Sequence, residues 1–181
     1  MAKCALVIGH KPSSPGAVNL ASGTTEFDFN NGLSTDIINL VENVEVERVY
    51  RDTYRGLPDK INALNPDFTI SMHCNAFNKK ASGSEALYYY SSLNGNAIAE
   101  VLQEKFVSMV GVKDRGTRPK SVEDRGGYLL YHTKSPCVIA EPFFIDNDEE
   151  FNNVAIQKRG LLAEAYASAI MEVAAMVDQE D

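Results

Sequence analysis

The sequence predicts a three-layer α/β/α fold, with a twisted, mostly parallel sheet of about six strands flanked by helices. Three observations lead there. Short apolar runs alternate along the chain with stretches of helical periodicity, the pattern of successive βαβ units. The first run, CALVIG at residues 4–9, is apolar throughout, as a strand covered on both faces requires. The chain has 181 residues, 44% of them hydrophobic and 23% charged. That is an ordinary globular balance, with enough length for one sizeable core. Residues 1–181 therefore read as a single domain, without an internal repeat or a low-complexity tract.

The elements follow in order. After the strand at 4–9, the stretch HKPSSPG at residues 10–16 is a loop, rich in proline and serine. From Glu26 to about Val41, Phe29, Leu33, Ile37, Ile38 and Val41 recur close to a helical stripe. VEVERVY at 44–50 alternates as a strand does, and LPDKINAL at 57–64 puts Leu57, Ile61 and Leu64 on one helical face before Pro66 stops it. FTISMH at 68–73 and EALYYYS at 85–91 are further strands. Asn96 to Val110 is a patterned helix closed by Gly111. Residues 113–127, charged and glycine-rich, are expected to form a long surface loop. PCVIAEPFF at 136–144 is the last strand, and 155–177 is a long amphipathic helix packed across the sheet.

Composition narrows the partners. A formal net charge of −8 argues against nucleic acid, because phosphate backbones bind to basic surfaces. The amino-terminal apolar run lacks a small-residue cleavage site and reads as the first strand. No stretch approaches the ~20 apolar residues that span a bilayer, so membrane insertion is not expected. Cys4, Cys74 and Cys137 are odd in number, far apart and set in apolar segments, which suits reduced thiols and excludes a cysteine-rich zinc site.

The chain has only three histidines, His10, His73 and His132. His10 and His73 each follow an apolar run, at the carboxyl end of an expected strand, and Glu141 ends the run CVIA. In open α/β sheets ligands bind beyond those strand ends. Glu26, in the first turn of the helix after the His10 loop, points to the same edge. Two histidines and one carboxylate make a ligand set for catalytic zinc, with a coordination position left open. A further carboxylate is then needed as general base and later as acid. His10, Glu26, His73 and Glu141 are residues of the types those four posts need, although a histidine closing a strand also serves structure and a first-turn Glu26 also complements the helix dipole. A carboxylate between VIA and PFF is costly to bury unless paired or used, which singles out Glu141. His132, in LLYHTKSP, is either a substrate contact or a loop residue. Cys74, on the opposite face from His73, reads as packing. The loop at 9–17 has too few glycines and no G-K-[ST] ending for a phosphate-binding loop.

These segments, in this order, resemble the type 3 family of zinc-dependent N-acetylmuramoyl-L-alanine amidases. VIGHKPSSPGAVN is similar to the family's opening strand and G-H loop with its later P-G-A. Glu26 stands where the second ligand opens a helix. LPDKINALNPDFTISMHCNAF resembles the helix and strand that end in S-x-H-x-N-A, ASGSEALYYY the strand that follows, and SPCVIAEPFFIDN the closing P-x-V-x-x-E segment. The resemblance implies Zn2+ held by His10, Glu26 and His73, with Glu141 catalytic. It further implies cleavage of the amide between N-acetylmuramic acid and L-alanine in peptidoglycan. Lys11 and Pro12 replace the family's glycines, Phe143 stands in place of a glycine and Asp146 in place of a serine; these departures imply an altered cleft.

Substrate contacts are expected from Asn75, His132 and the loop arginines Arg115, Arg118 and Arg125, which suit stem-peptide carboxylates. Without an export signal or wall-binding repeats, the chain reads as the bare catalytic domain of a phage or prophage endolysin. It would act as a monomer, made in the cytoplasm and released to the cell wall. Two other readings compete: a glycosidase using Glu26 and Glu141 as its acid/base pair, and a non-catalytic peptidoglycan-binding module.

Overall fold

The computed structural model describes residues 1–177; the last four residues of the span 1–181 lie outside the described residues. The six strands are β1 (Lys3–Ile8), β2 (Glu45–Tyr50), β3 (Phe68–Met72), β4 (Ser84–Tyr89), β5 (Asp114–Lys120) and β6 (Cys137–Glu141). They form one sheet in the order β2-β1-β3-β6-β4-β5. β2, β1, β3 and β6 run parallel, with Ile8 beside Met72 and Met72 beside Ala140. β4 runs antiparallel to β6, which sets Glu85 opposite Glu141. The sheet is therefore mostly parallel, and its one reversed joint brings the start of β4 to the edge where the parallel strands end.

Among the described residues six α-helices complete the α/β fold: α1 (Glu26–Leu40), α2 (Leu57–Ala63), α3 (Leu93–Lys105), α4 (Gly127–His132), α5 (Asp148–Glu150) and α6 (Arg159–Val177). Strand alternation deals side chains to two separate cores. Cys4, Leu6 and Ile8 of β1, Phe68, Ile70 and Met72 of β3, and Val138 and Ala140 of β6 join the large core under α1, α3 and α6. Ala5 and Val7 of β1, and Cys137 and Ile139 of β6, face a much smaller core with Leu57 and Ile61 of α2 and Leu129 and Leu130 of α4. α1 is held at its start by Thr25, whose Oγ1 accepts from the Asp28 amide at 3.1 Å. α3 is capped by Ser92, and a π-helical extension, Phe106–Val110, ends at Gly111 with φ 75°.

Several expectations are corrected. The expected loop at 113–127 contains β5, an edge strand paired only with β4. Charged edges discourage pairing with other chains, and a strand so built has no apolar run to betray it. α4 is one short helix, too brief for its period to show. The last strand stops at Glu141, and Phe143, Phe144 and Ile145 are buried as irregular chain. The helix expected over 155–177 divides into a π-helical segment, Phe151–Gln157, and α6. α6 is apolar and long enough to cross a membrane by length and composition, contrary to the reading from sequence. Here it is a core helix: Leu162, Tyr166, Ile170 and Val173 are buried beneath the sheet with α1 and α3.

Candidate active site

β1 ends at Ile8, and Gly9 continues its ladder by donating to the Met72 carbonyl at 3.0 Å. The chain then turns at His10, whose φ of 66° lies in the left-handed region. That is an uncommon conformation for a residue with a side chain, and a mark of functional strain. β3 delivers His73 directly, its amide bonded to the Ala140 carbonyl at 2.9 Å. Alternation puts His73 on the same face as Thr69 and Ser71, away from the large core.

Glu26, the first residue of α1, reaches between the two imidazoles and is only 1% exposed. Its Oε1 accepts from the Cys74 amide at 3.0 Å and lies 2.8 Å from His73 Nδ1. Its Oε2 accepts from the Ala17 amide at 3.2 Å and lies 3.1 Å from His10 Nε2. Burial pushes the Glu26 carboxyl up, but the imidazoles of His10 and His73 beside it outweigh burial and hold the group well below the usual carboxylate range. Despite its 3.1 Å approach, His10 Nε2 makes no hydrogen bond and is a buried, unpartnered nitrogen.

The close packing of this triad depends on two glycines. A β-carbon on Gly16, at φ 81°, would stand 2.6 Å from His10 Cδ2 and 2.7 Å from Glu26 Oε2; one on Gly9 would stand 2.5 Å from the Met72 carbonyl oxygen and 2.7 Å from His73 Cε1.

The three donors lie within 4.8 Å of one another. Two imidazoles and a carboxylate, one imidazole nitrogen being orphaned and buried, fit zinc. Cys74 carries no ligand role: it is buried on the core side, and burial first, with the Glu26 charge second, raises its thiol well above the usual range.

Glu141 ends β6 on the same face as His73, almost fully buried. Burial, with Glu85 and Glu26 nearby, pushes it up to about 7 against the opposing charges of His73 and Arg125. It lines a cleft of ≈ 270 Å³ with His10, His73, Asn75 and Glu85; Leu87, Leu129 and Ile139 supply apolar lining, and Arg51, Tyr54, Lys120 and Arg125 also border it. Glu26 does not line this cleft.

The other expected contacts divide. Asn75 lines the cleft, but its Nδ2 donates to Glu85 Oε1 at 2.8 Å. Arg115 Nε donates to Glu85 Oε2 at 3.0 Å and Arg118 lies 3.7 Å from the same oxygen, so neither is free for substrate. Of the three loop arginines, Arg125 is the one that lines the cleft. His132 stands apart from it, in an aromatic cluster with Tyr128 and Tyr131. Phe143 packs against Phe29 and Phe151 in the large core, so its departure from the family pattern does not shape the cleft. Asp146 Oδ2 accepts from the amides of Phe77 and Lys79, anchoring the chain beyond His73. Lys11 Nζ donates to the Asp52 carbonyl at 2.9 Å, pinning the segment that carries Arg51. Sequence reasoning missed Glu85, Arg51, Tyr54 and Lys120. Glu85 alone had a partial signal, an acid that opens an apolar strand where Glu141 closes one.

The chain resembles known proteins along almost its whole length. A family model described as N-acetylmuramoyl-L-alanine amidase matches residues 4–172. N-acetylmuramoyl-L-alanine amidase LytC of Bacillus subtilis is 25% identical over 171 residues, covering 90% of this chain and 32% of LytC. The chain thus spans about a third of that relative's length. An uncharacterized protein of the same organism, YqiI, is 25% identical and is covered over 73% of its length by 83% of this chain. Among solved structures, an amidase from Clostridium difficile 630 superposes with a TM-score of 0.81 at 22% identity, over 94% of this chain and 95% of that one. The catalytic domain of the CD27L endolysin, which targets Clostridia difficile, gives a TM-score of 0.75 at 22% identity, over 95% and 98%. At such identities these structural likenesses speak for the fold.

Proposed function

The chain belongs to the N-acetylmuramoyl-L-alanine amidase family, and on that premise we propose that it hydrolyses the amide joining N-acetylmuramic acid to L-alanine in peptidoglycan, with zinc held by His10, Glu26 and His73. The observation that carries this reading is the pairing of two histidines, clamped by the buried Glu26, with Glu141 in one cleft. Bound at such a triad, zinc supplies Lewis acidity toward a carbonyl oxygen and toward water.

The chain's own residues supply the rest. Glu26, ionised and clamped by two backbone amides, fixes both imidazoles in place. Glu141 accepts a proton from the attacking water at its carboxylate and returns it to the leaving amide nitrogen. A carboxyl held near 7 suits both halves of that task at neutral pH. Leu87, Leu129 and Ile139 exclude water on one side of the substrate. We further propose a phage or prophage lysin, made in the cytoplasm and reaching the wall after release; the likeness to an endolysin's catalytic domain is one of fold. The glycosidase reading fares worse, because Glu26 is buried outside the cleft and both its oxygens are engaged.

The test is digestion of purified peptidoglycan with and without a chelator. Released peptides with free amino-terminal L-alanine are expected, lost on chelation and lost by about 10³-fold in Glu141→Gln, with zinc content unchanged. New reducing sugars that survive chelation would mark a glycosidase instead. Binding without hydrolysis would mark a wall-binding module.

A further inference from the structure

Three cations reach the cleft from three segments distant in sequence: Arg51 after β2, Lys120 at the end of β5, and Arg125 before α4. Arg51 and Lys120 are half-buried and Arg125 is exposed. Among the described residues no ion pair joins any of them to an acid, in a chain whose net charge is −8. The contrast with their neighbours is direct. Arg115 and Arg118 are both taken up by Glu85. Of the remaining acids at the site, Glu26 is engaged by the histidines, and Glu141 is needed for proton transfer. The cations therefore border an apolar wall made by Leu87, Leu129 and Ile139 without an ion-pair partner of their own. Holding cations together in a half-enclosed cleft carries mutual repulsion, which an anionic ligand relieves.

We infer that Arg51, Lys120 and Arg125 form a subsite for a free carboxylate on the stem peptide, so that the cleft selects acidic stems over their amidated counterparts. The inference rests on the amidase reading for the placement of the substrate: the scissile amide lies at the histidine and Glu141 end, and the stem runs over the apolar wall beneath the cations. A carboxylate there is met by charge-assisted hydrogen bonds from guanidinium groups, whereas a carboxamide gains no such charge and leaves the cations unpaired. Lys11, by tying down Asp52, holds the Arg51 segment in register.

The test uses two muramoyl-peptides that differ only in a carboxylate or carboxamide on the second stem residue. Their affinities for Glu141→Gln are compared by titration calorimetry, so that no turnover is required. The free acid is expected to bind at least about tenfold more tightly, with the preference shrinking as salt rises. In the combined variant Glu141→Gln, Arg51→Gln, Arg125→Gln, the ratio of the two affinities should approach one. Equal affinities in Glu141→Gln, or a preference that survives loss of both arginines, overturns the proposal. The parent enzyme is offered the same pair in parallel. If it hydrolyses neither while the acid preference stands, the amidase reading falls and the anion subsite remains; hydrolysis of both with equal binding does the reverse.

Discussion

The two faces of the sheet are built to different standards. One is covered by α1, α3 and α6 over a core that includes Leu33, Phe68, Phe106 and Tyr166, all fully buried. The other is covered only by α2 and α4 over a core of Val7, Ile61, Leu129 and their neighbours, and part of it is left open as the cleft. Glu26 comes from the thick side and Glu141 from the thin side, and their acidities are displaced in opposite directions. Metal ligation asks for a carboxylate fixed and ionised, which a helix rooted in a deep core provides. Proton transfer asks for a carboxyl that changes state, which a strand end beside an open cleft provides.

The contrast can be broken in three places. On the thick side, Leu33→Ala empties volume in the large core and should cost about 4 kcal/mol of unfolding free energy, read by chemical denaturation. A cost no larger than that of a thin-side truncation would erase the distinction.

The second place is the pair of glutamates, compared in metal-free protein. An ordinary glutamate titrates near 4.5, and in the folded chain Glu141 does so at about 7. Between those values the folded state binds the extra proton. Glu141 therefore subtracts from stability as pH rises through that window, and the whole deficit is present above it. Glu141→Gln removes the deficit, so the variant should gain on the parent by about 3 kcal/mol between pH 4 and pH 8. A difference between the two proteins that does not change with pH would show that Glu141 is not held as described.

The smallest effect is expected for Leu129→Ala on the thin side, about 2 kcal/mol, because a site bordering the cleft can relax. Its KM for muramoyl-peptides should rise even so, since the same side chain lines the cleft. An unchanged KM would detach the small core from substrate binding.

The same asymmetry explains what could be read without coordinates. β1, β3 and β6 are buried along their length and announce themselves as apolar runs, and they carry His10, His73 and Glu141. Glu26 follows because its helix has an apolar stripe toward the thick core. β5 and α4 stayed hidden, since an edge strand reads as charged loop and a six-residue helix shows too little period. Arg115 and Arg118 illustrate a related limit: sequence shows that an arginine is near a site, but not that Glu85 engages it. Arg51 and Lys120 reach the cleft only through pairing between strands distant in the chain, which no local pattern records.

Gly9 and Gly16 make their contribution by having nothing to contribute. In the genetic code every change at the first or second base of a glycine codon installs a β-carbon or stops the chain. At these two codons that carbon would land against the histidines or the glutamate between them. The centre is thus inherited partly as two blanks, and drift at those codons is confined to the third base.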